Sequence, residues 1–193
     1  MVSDYLRRAS LPLLNLLSRA LARAGFTPNG LTIIGFLLNV AVATVLATGR
    51  LRLGGVLVLA VSLFDSLDGA LARYTKNVTP FGAFFDSTLD RYSEAALFSG
   101  LLWHFVGLGA RQESILVAAA LFGSLAVSYT RARAEGLGLD CKVGLFTRVE
   151  RMVVLSLGLV LGLPLLTLWV LAVFSHITAL QRIWHVRQLT RGA

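Results

Sequence analysis

The strongest constraint on this chain is a succession of long apolar runs, each near the length of a bilayer-crossing helix. They fall at roughly Leu31–Thr48, Leu53–Arg73, Phe81–Val106, Ser114–Glu135, Glu150–Leu161 and beyond, and Leu165–Trp184. Crossing a hydrocarbon core takes roughly 20 helical residues. Charged residues make up only 15% of the 193 residues and hydrophobic ones 56%, too apolar for a soluble domain that must cover its surface with polar groups. The runs are continuous rather than alternating, which argues against a β-barrel. The expected fold is therefore an all-α integral membrane protein. Six transmembrane helices, preceded by an N-terminal amphipathic juxtamembrane helix, form one domain over residues 1–193.

That leading helix spans Asp4 to Arg23. Leu6, Leu13, Leu14, Leu17 and Leu21 recur at helical spacing against Arg7, Arg8, Arg19 and Arg23, the pattern of a helix lying in the headgroup layer. Gly25-Phe26-Thr27-Pro28-Asn29 ends it, and the six-helix bundle occupies residues 28–189. No short apolar run with a small-residue cleavage site opens the chain, so no cleavable signal peptide is expected. Gly162-Leu163-Pro164 predicts a tight hairpin between the last two spans.

Eighteen basic residues, mostly arginine, give a net charge of +8. With six spans, fifteen of them fall on the side of the termini and three (Arg50, Arg52, Arg111) on the other. The asymmetry predicts a multi-pass protein of the cytoplasmic membrane with both termini in the cytoplasm. It also accounts for the positive charge without a nucleic-acid partner. A single cysteine, Cys141, excludes an internal disulfide. His104, His176 and His185 show no ligand spacing and are read as structural.

Against this apolar background four aspartates stand out. Asp65 and Asp68 are i, i+3 and share one helix face; Asp86 and Asp90 are i, i+4 and share another. The connection between the two helices is short, so they are antiparallel neighbours with both pairs at similar depth. Carboxylates inside a membrane are costly and usually functional. Four together need positive charge among them, and oxygen-only ligands suit a hard divalent cation: Mg²⁺, with Mn²⁺ or Ca²⁺ as alternatives. Gly69 and Gly82 leave room for a ligand, and Arg73, about a turn from Asp68, can meet a phosphate. Metal, guanidinium and open space are the parts that transfer of a phosphoryl-type group requires.

In order, Asp65-x2-Asp68-Gly69-x2-Ala72-Arg73-x8-Gly82-x3-Asp86-x3-Asp90 fixes eight positions over 26 residues. The pattern resembles the signature of the CDP-alcohol phosphotransferases, and Pro28-Asn29-x-Leu31-Thr32 extends the likeness. The resemblance implies a pair of metal ions held by Asp65, Asp68 and Asp86 with help from Asp90. It implies that Asn29, Thr32, Gly69, Ala72, Arg73 and Gly82 line the site of a CDP-linked lipid such as CDP-diacylglycerol. Asp90 is implied as the general base, and a homodimer as the assembly. Glu94, one turn beyond Asp90, is positioned to orient it.

The acceptor is read from a second cluster. Ser128 and Arg131 share a helix face, as do Arg148 and Arg151, and guanidiniums beside a hydroxyl suit a phosphate carried by the acceptor. Ser128-Tyr129-Thr130-Arg131-Ala132-Arg133-Ala134-Glu135 with Glu150-Arg151 resembles the bacterial phosphatidylinositol-phosphate synthases and their archaeal ether-lipid counterparts. That resemblance implies an inositol phosphate held by Ser128, Arg131 and Arg151, with Arg133, Arg148 and Arg182 in support. Arg131 stands where some relatives have Lys, and Thr147 where they often carry Glu. The expected reaction moves the phosphatidyl group of CDP-diacylglycerol, or an ether analogue, to inositol phosphate and releases CMP. Glycerol 3-phosphate is the alternative acceptor. An ion or proton transporter would explain the carboxylates but not the glycines and Arg73 at fixed gaps.

Overall fold

In the computed structural model, which describes residues 16–191, every regular element is a helix. Helix α1 is described over residues 16–23. It is followed by α2 (Pro28–Ala47), α3 (Leu51–Tyr74), α4 (Pro80–Gly107), α5 (Arg111–Glu135), α6 (Arg148–Val160) and α7 (Pro164–Thr190). The part of the expected surface helix before residue 16 lies outside the described residues.

Local sequence sets the helix starts. Thr27 and Thr79 cap α2 and α4 by accepting from the Gly30 and Gly82 backbone N–H groups. Pro28, Pro80 and Pro164 then stand in the first helical turn, where their missing N–H and fixed φ are no handicap. Short connections through Gly49, Gly109 and Gly162, all at positive φ, reverse the chain between α2 and α3, α4 and α5, and α6 and α7. Only the α5–α6 connection is long.

The neighbours in space are α2 with α3, α3 with α6, α6 with α7, α7 with α5, α5 with α4, and α4 with α2. Six helices thus close into a ring whose order differs from the order in the chain. Close approach relies on small residues: a side chain at Gly100 of α4 would strike the Ala43 carbonyl of α2. On α6, Ser156 Oγ donates to the Gly55 carbonyl of α3 at 2.8 Å. Leu46, Val58, Leu97, Phe98, Leu101, Leu155, Leu159, Leu168 and Leu171 fill the interior.

The outside is apolar too. Leu37, Leu63, Trp103, Ile115, Phe122 and Leu166 are all exposed, an extent of uncovered apolar surface that marks contact with lipid or another apolar partner. Four helices, α2, α3, α5 and α7, are long and apolar enough to cross a membrane. The other two depart from the six expected spans for separate reasons. Helix α4 is long but carries Asp86, Asp90, Arg91 and Glu94 between its start and its midpoint region. Helix α6 has 13 residues, about 20 Å of rise, and does not by itself match a full hydrocarbon core. The connection before it is tied to the last third of α7, where Arg182 donates to the Val143 carbonyl. The polar start of α6 is thereby drawn down into the ring, where it meets the aspartates.

Candidate active site

Ring closure brings α2, α3, α4 and α6 to one place at the end of the bundle where α3 finishes and α4 begins. Asp65 and Asp68 come from the second half of α3, and Asp86 and Asp90 from the first half of α4. The four ring a void of about 10 Å³, which Thr32, Phe36, Leu89 and Ser93 complete. A space of that size takes about one water-sized occupant.

Helix α2 fixes the two aspartates of α3. Thr32 Oγ1 donates to Asp68 Oδ2 at 2.8 Å. Asn39, itself buried, donates to Asp65 Oδ2 at 3.4 Å and to the Gly35 carbonyl at 3.0 Å. Gly35 lies against Asp65, and a Cβ there would collide with Oδ1. Thr32, Gly35 and Asn39 are one helical turn apart in sequence and form a single stripe. Sequence reading missed Gly35 and Asn39 as site residues. An amide in the apolar run 33–47 was the available signal.

Two guanidiniums approach from the other side. Arg148, the first residue of α6, bridges Asp90 Oδ1 at 2.8 Å and Asp65 Oδ2 at 3.2 Å. Arg91 reaches Asp90 Oδ2 at 3.4 Å. Among the described residues, no three acidic, histidine or cysteine side chains stand close enough to hold a metal ion as they are. Arg148, Thr32 and Asn39 each hold a carboxylate oxygen of the set. The donor set nevertheless fits a hard divalent cation, because four carboxylates face a space of about one ion with no nitrogen or sulfur ligand among them.

Two larger cavities flank this centre. One, of about 320 Å³, is bounded by α2, the end of α3 and the start of α4. All six residues expected to contact a CDP-linked lipid line it: Asn29, Thr32, Gly69, Ala72, Arg73 and Gly82, together with Asp68 and Asp86. The other, of about 560 Å³, lies on the far side of α4 and is lined by Arg91, Ser128, Arg131, Arg148, Arg151 and Arg182 among others. Ala83 borders both.

Of the six residues expected around an acceptor phosphate, five line this second cavity. Arg133 does not; it faces a separate groove between α5 and α7 with Tyr129 and Val186. The five are not equally available. Arg151 is 1% exposed and gives Nε to Glu94 Oε1 at 2.8 Å and a second nitrogen to Oε2 at 3.1 Å. Glu94 is thus the partner of Arg151 and makes no bond to Asp90. Arg182 gives Nε to the Val143 carbonyl and one terminal nitrogen to the Val127 carbonyl. Arg131 is half exposed and held only by Glu135, one turn along α5. Arg91, overlooked in sequence, belongs to the wall, and Thr147 serves as the N-cap of α6 with Glu150.

The family model described as CDP-alcohol phosphatidyltransferase matches residues 26–181. A phosphatidylinositol phosphate synthase of Mycobacteroides abscessus is 42% identical over 183 residues, which is 90% of this chain and 83% of that protein. The crystal structure of Mycobacterium tuberculosis phosphatidylinositol phosphate synthase with CDP-DAG bound superposes with a TM-score of 0.85 at 36% identity. It covers 91% of this chain and 94% of the other. The same protein in complex with manganese and citrate gives 0.84 at 37% identity, covering 90% and 88%. With the eight-position motif gathered round one void and a match that spans six of its helices, this chain belongs to the CDP-alcohol phosphatidyltransferase family.

Proposed function

We propose that this enzyme is a phosphatidylinositol-phosphate synthase of the cytoplasmic membrane. It transfers the phosphatidyl group of CDP-diacylglycerol, or of an ether analogue, to a hydroxyl of inositol phosphate and releases CMP. One observation carries the proposal: two cavities of different chemistry flank the aspartate centre, one lined by Asp68 and Asp86 and the other by Arg148, which bridges Asp65 and Asp90. The first is lined by the family motif and holds Arg73; the second is walled by five arginines. A donor and a phosphorylated acceptor each have a place on opposite sides of one reaction centre. Relatives carrying that activity in their names support the same choice.

In this reading Asn29, Thr32, Gly69, Ala72, Arg73 and Gly82 hold the CDP-linked headgroup. Asp65, Asp68, Asp86 and Asp90 offer eight carboxylate oxygens, and a divalent cation tolerates one or two carboxylates with water completing its shell. By the family resemblance the set is assigned two Mg²⁺ ions, for which Mn²⁺ can substitute; the void takes one, and Asp68 and Asp86 also face the adjoining cavity of about 320 Å³. Bound divalent cations supply neutralisation of the diphosphate and polarisation of the phosphorus under attack. Asp90 takes the proton of the acceptor hydroxyl as its oxygen bonds to the β-phosphorus and the bond to CMP breaks. Ser128, Arg131 and Arg148 grip the acceptor's phosphate, while Arg151 and Arg182 shape the wall and contribute charge. Arg133 is left out of this set.

The remaining architecture belongs to the same proposal. All six helices α2–α7 are embedded in the bilayer, α1 lies at its surface, and the termini and active site face the cytoplasm, as the distribution of basic residues supports. A homodimer is expected from the family resemblance. Purified enzyme given CDP-diacylglycerol with inositol phosphate, free inositol or glycerol 3-phosphate tests the acceptor. Lipid product with inositol phosphate alone is the expected result, and preference for glycerol 3-phosphate would refute the assignment.

A further inference from the structure

Arg148 belongs to two sites at once. Its terminal nitrogens bridge Asp65 on α3 and Asp90 on α4, yet the same side chain lines the arginine-walled cavity. We propose that Arg148 is a switch between them. Its guanidinium is the counter-ion of Asp65 and Asp90 while the aspartates carry no metal, and it turns into the cavity to hold the acceptor's phosphate once a divalent cation takes over that charge. The inference rests on the functional reading above and adds an order to it: metal first, phosphorylated acceptor second.

Three features of the molecule support the exchange. Charge comes first. Four carboxylates in a partly dehydrated pocket require positive charge, and Arg148 and Arg91 supply part of it. A divalent cation in the void makes the Arg148 charge redundant there and repels it, while the phosphate of an acceptor would attract it next door.

Donor use is the second feature. In its present pose Arg148 leaves its Nε–H buried without an acceptor, and so does Arg91. A planar guanidinium satisfies a phosphate through adjacent nitrogens, so turning toward a phosphate uses the donor that this pose wastes. The anchor is suited to such a turn. Arg148 is the first residue of α6, whose start is fixed by the reciprocal Thr147–Glu150 capping box. The backbone can stay in place while only the long side chain moves.

The third feature is Asp90. Arg148 occupies Oδ1 at 2.8 Å and Arg91 reaches Oδ2 at 3.4 Å. A divalent cation held by Asp90 would need one of these oxygens, so the cation and the Arg148 guanidinium compete for the same carboxylate.

Equilibrium binding to the detergent-solubilised full chain, without turnover, tests the switch. In the unaltered protein, Mn²⁺ should tighten inositol phosphate binding by about tenfold, within the usual range for coupled sites. Arg148→Gln should bind Mn²⁺ more tightly than the unaltered protein, again by about tenfold, and should lose the dependence of inositol phosphate binding on Mn²⁺. Arg148→Lys, which keeps the charge but replaces the two-nitrogen fork by a single ammonium, should fall between. Inositol phosphate affinity that is the same with and without Mn²⁺ in the unaltered protein overturns the switch, whatever the variants do. So does an Arg148→Gln protein that keeps the full Mn²⁺ dependence, since the metal's own attraction would then explain it. Failure to bind Mn²⁺ or inositol phosphate at all would overturn the functional reading as well; binding of both without coupling removes the switch alone.

Discussion

The Glu94–Arg151 pair allows structural and functional roles of an arginine to be separated. Both side chains are 1% exposed, and two hydrogen bonds of 2.8 and 3.1 Å join them across the ring, from α4 to α6. Glu94→Ala leaves Arg151 charged and unpaired in the interior, which costs about 3–5 kcal/mol. At about 2–4 °C per kcal/mol for a chain of this size, the melting temperature in detergent should fall by roughly 6–20 °C. Replacing both residues by leucine removes both charges and should be far milder, because a well-packed apolar pair is often no worse than a buried ion pair. The residual cost is about 1 kcal/mol, from the Phe146 carbonyl that loses its bond to Arg151. A double-mutant cycle by thermal unfolding therefore predicts strong non-additivity. Inositol phosphate binding should remain impaired in the double variant, since Arg151 walls the acceptor cavity. A double variant that loses as much stability as the two single variants added together would refute this reasoning, for the pair would then hold no coupled charges.

Asp90→Asn should lower turnover by about 10²–10⁴-fold, the usual worth of a general base, with CDP-lipid binding largely retained; single-turnover CMP release against equilibrium binding checks it. Asn39→Leu and Gly35→Ala disturb the cradle of Asp65 and should each weaken Mn²⁺ binding about 10–100-fold, measurable by titration without substrate. Gly82→Leu places a bulky side chain in the cavity lined by Asn29 and Asp86 and should raise KM for the CDP-lipid far more than for inositol phosphate.

What could be read from sequence followed the reach of local geometry. Asp65 and Asp68, or Asp86 and Asp90, lie within one turn of each other, and a short connection forces their helices together, so the carboxylate centre was legible from spacing alone. Of the first cavity's lining, Gly69, Arg73 and Gly82 were marked by spacing, and Asn29, Thr32 and Ala72 came from the family resemblance. Arg133 was open to correction even then: it lies two residues from Arg131, about 200° round a helix, and both cannot face one cavity. Arg148 meeting Asp65, 83 positions earlier, and Arg151 meeting Glu94, 57 positions earlier, depend on where α6 enters the ring. No local periodicity encodes that. Helix α6 was expected to run its course as an ordinary span, whereas its 13 residues begin where Arg148 meets Asp65 and Asp90 and Arg151 meets Glu94. Asn39 was hidden differently: a lone amide in an apolar run has meaning only when the residue opposite it is known to be Asp65.

Everything in this account turns on the two acidic helix faces acting together as a metal site between two substrate cavities. Anomalous scattering from crystals of the chain grown with Mn²⁺ tests that directly. Peaks should lie between α3 and α4, within ligand distance of Asp65, Asp68, Asp86 and Asp90, and should vanish in Asp68→Asn crystals. Manganese bound only elsewhere on the protein, or peaks undiminished by that substitution, would contradict the account.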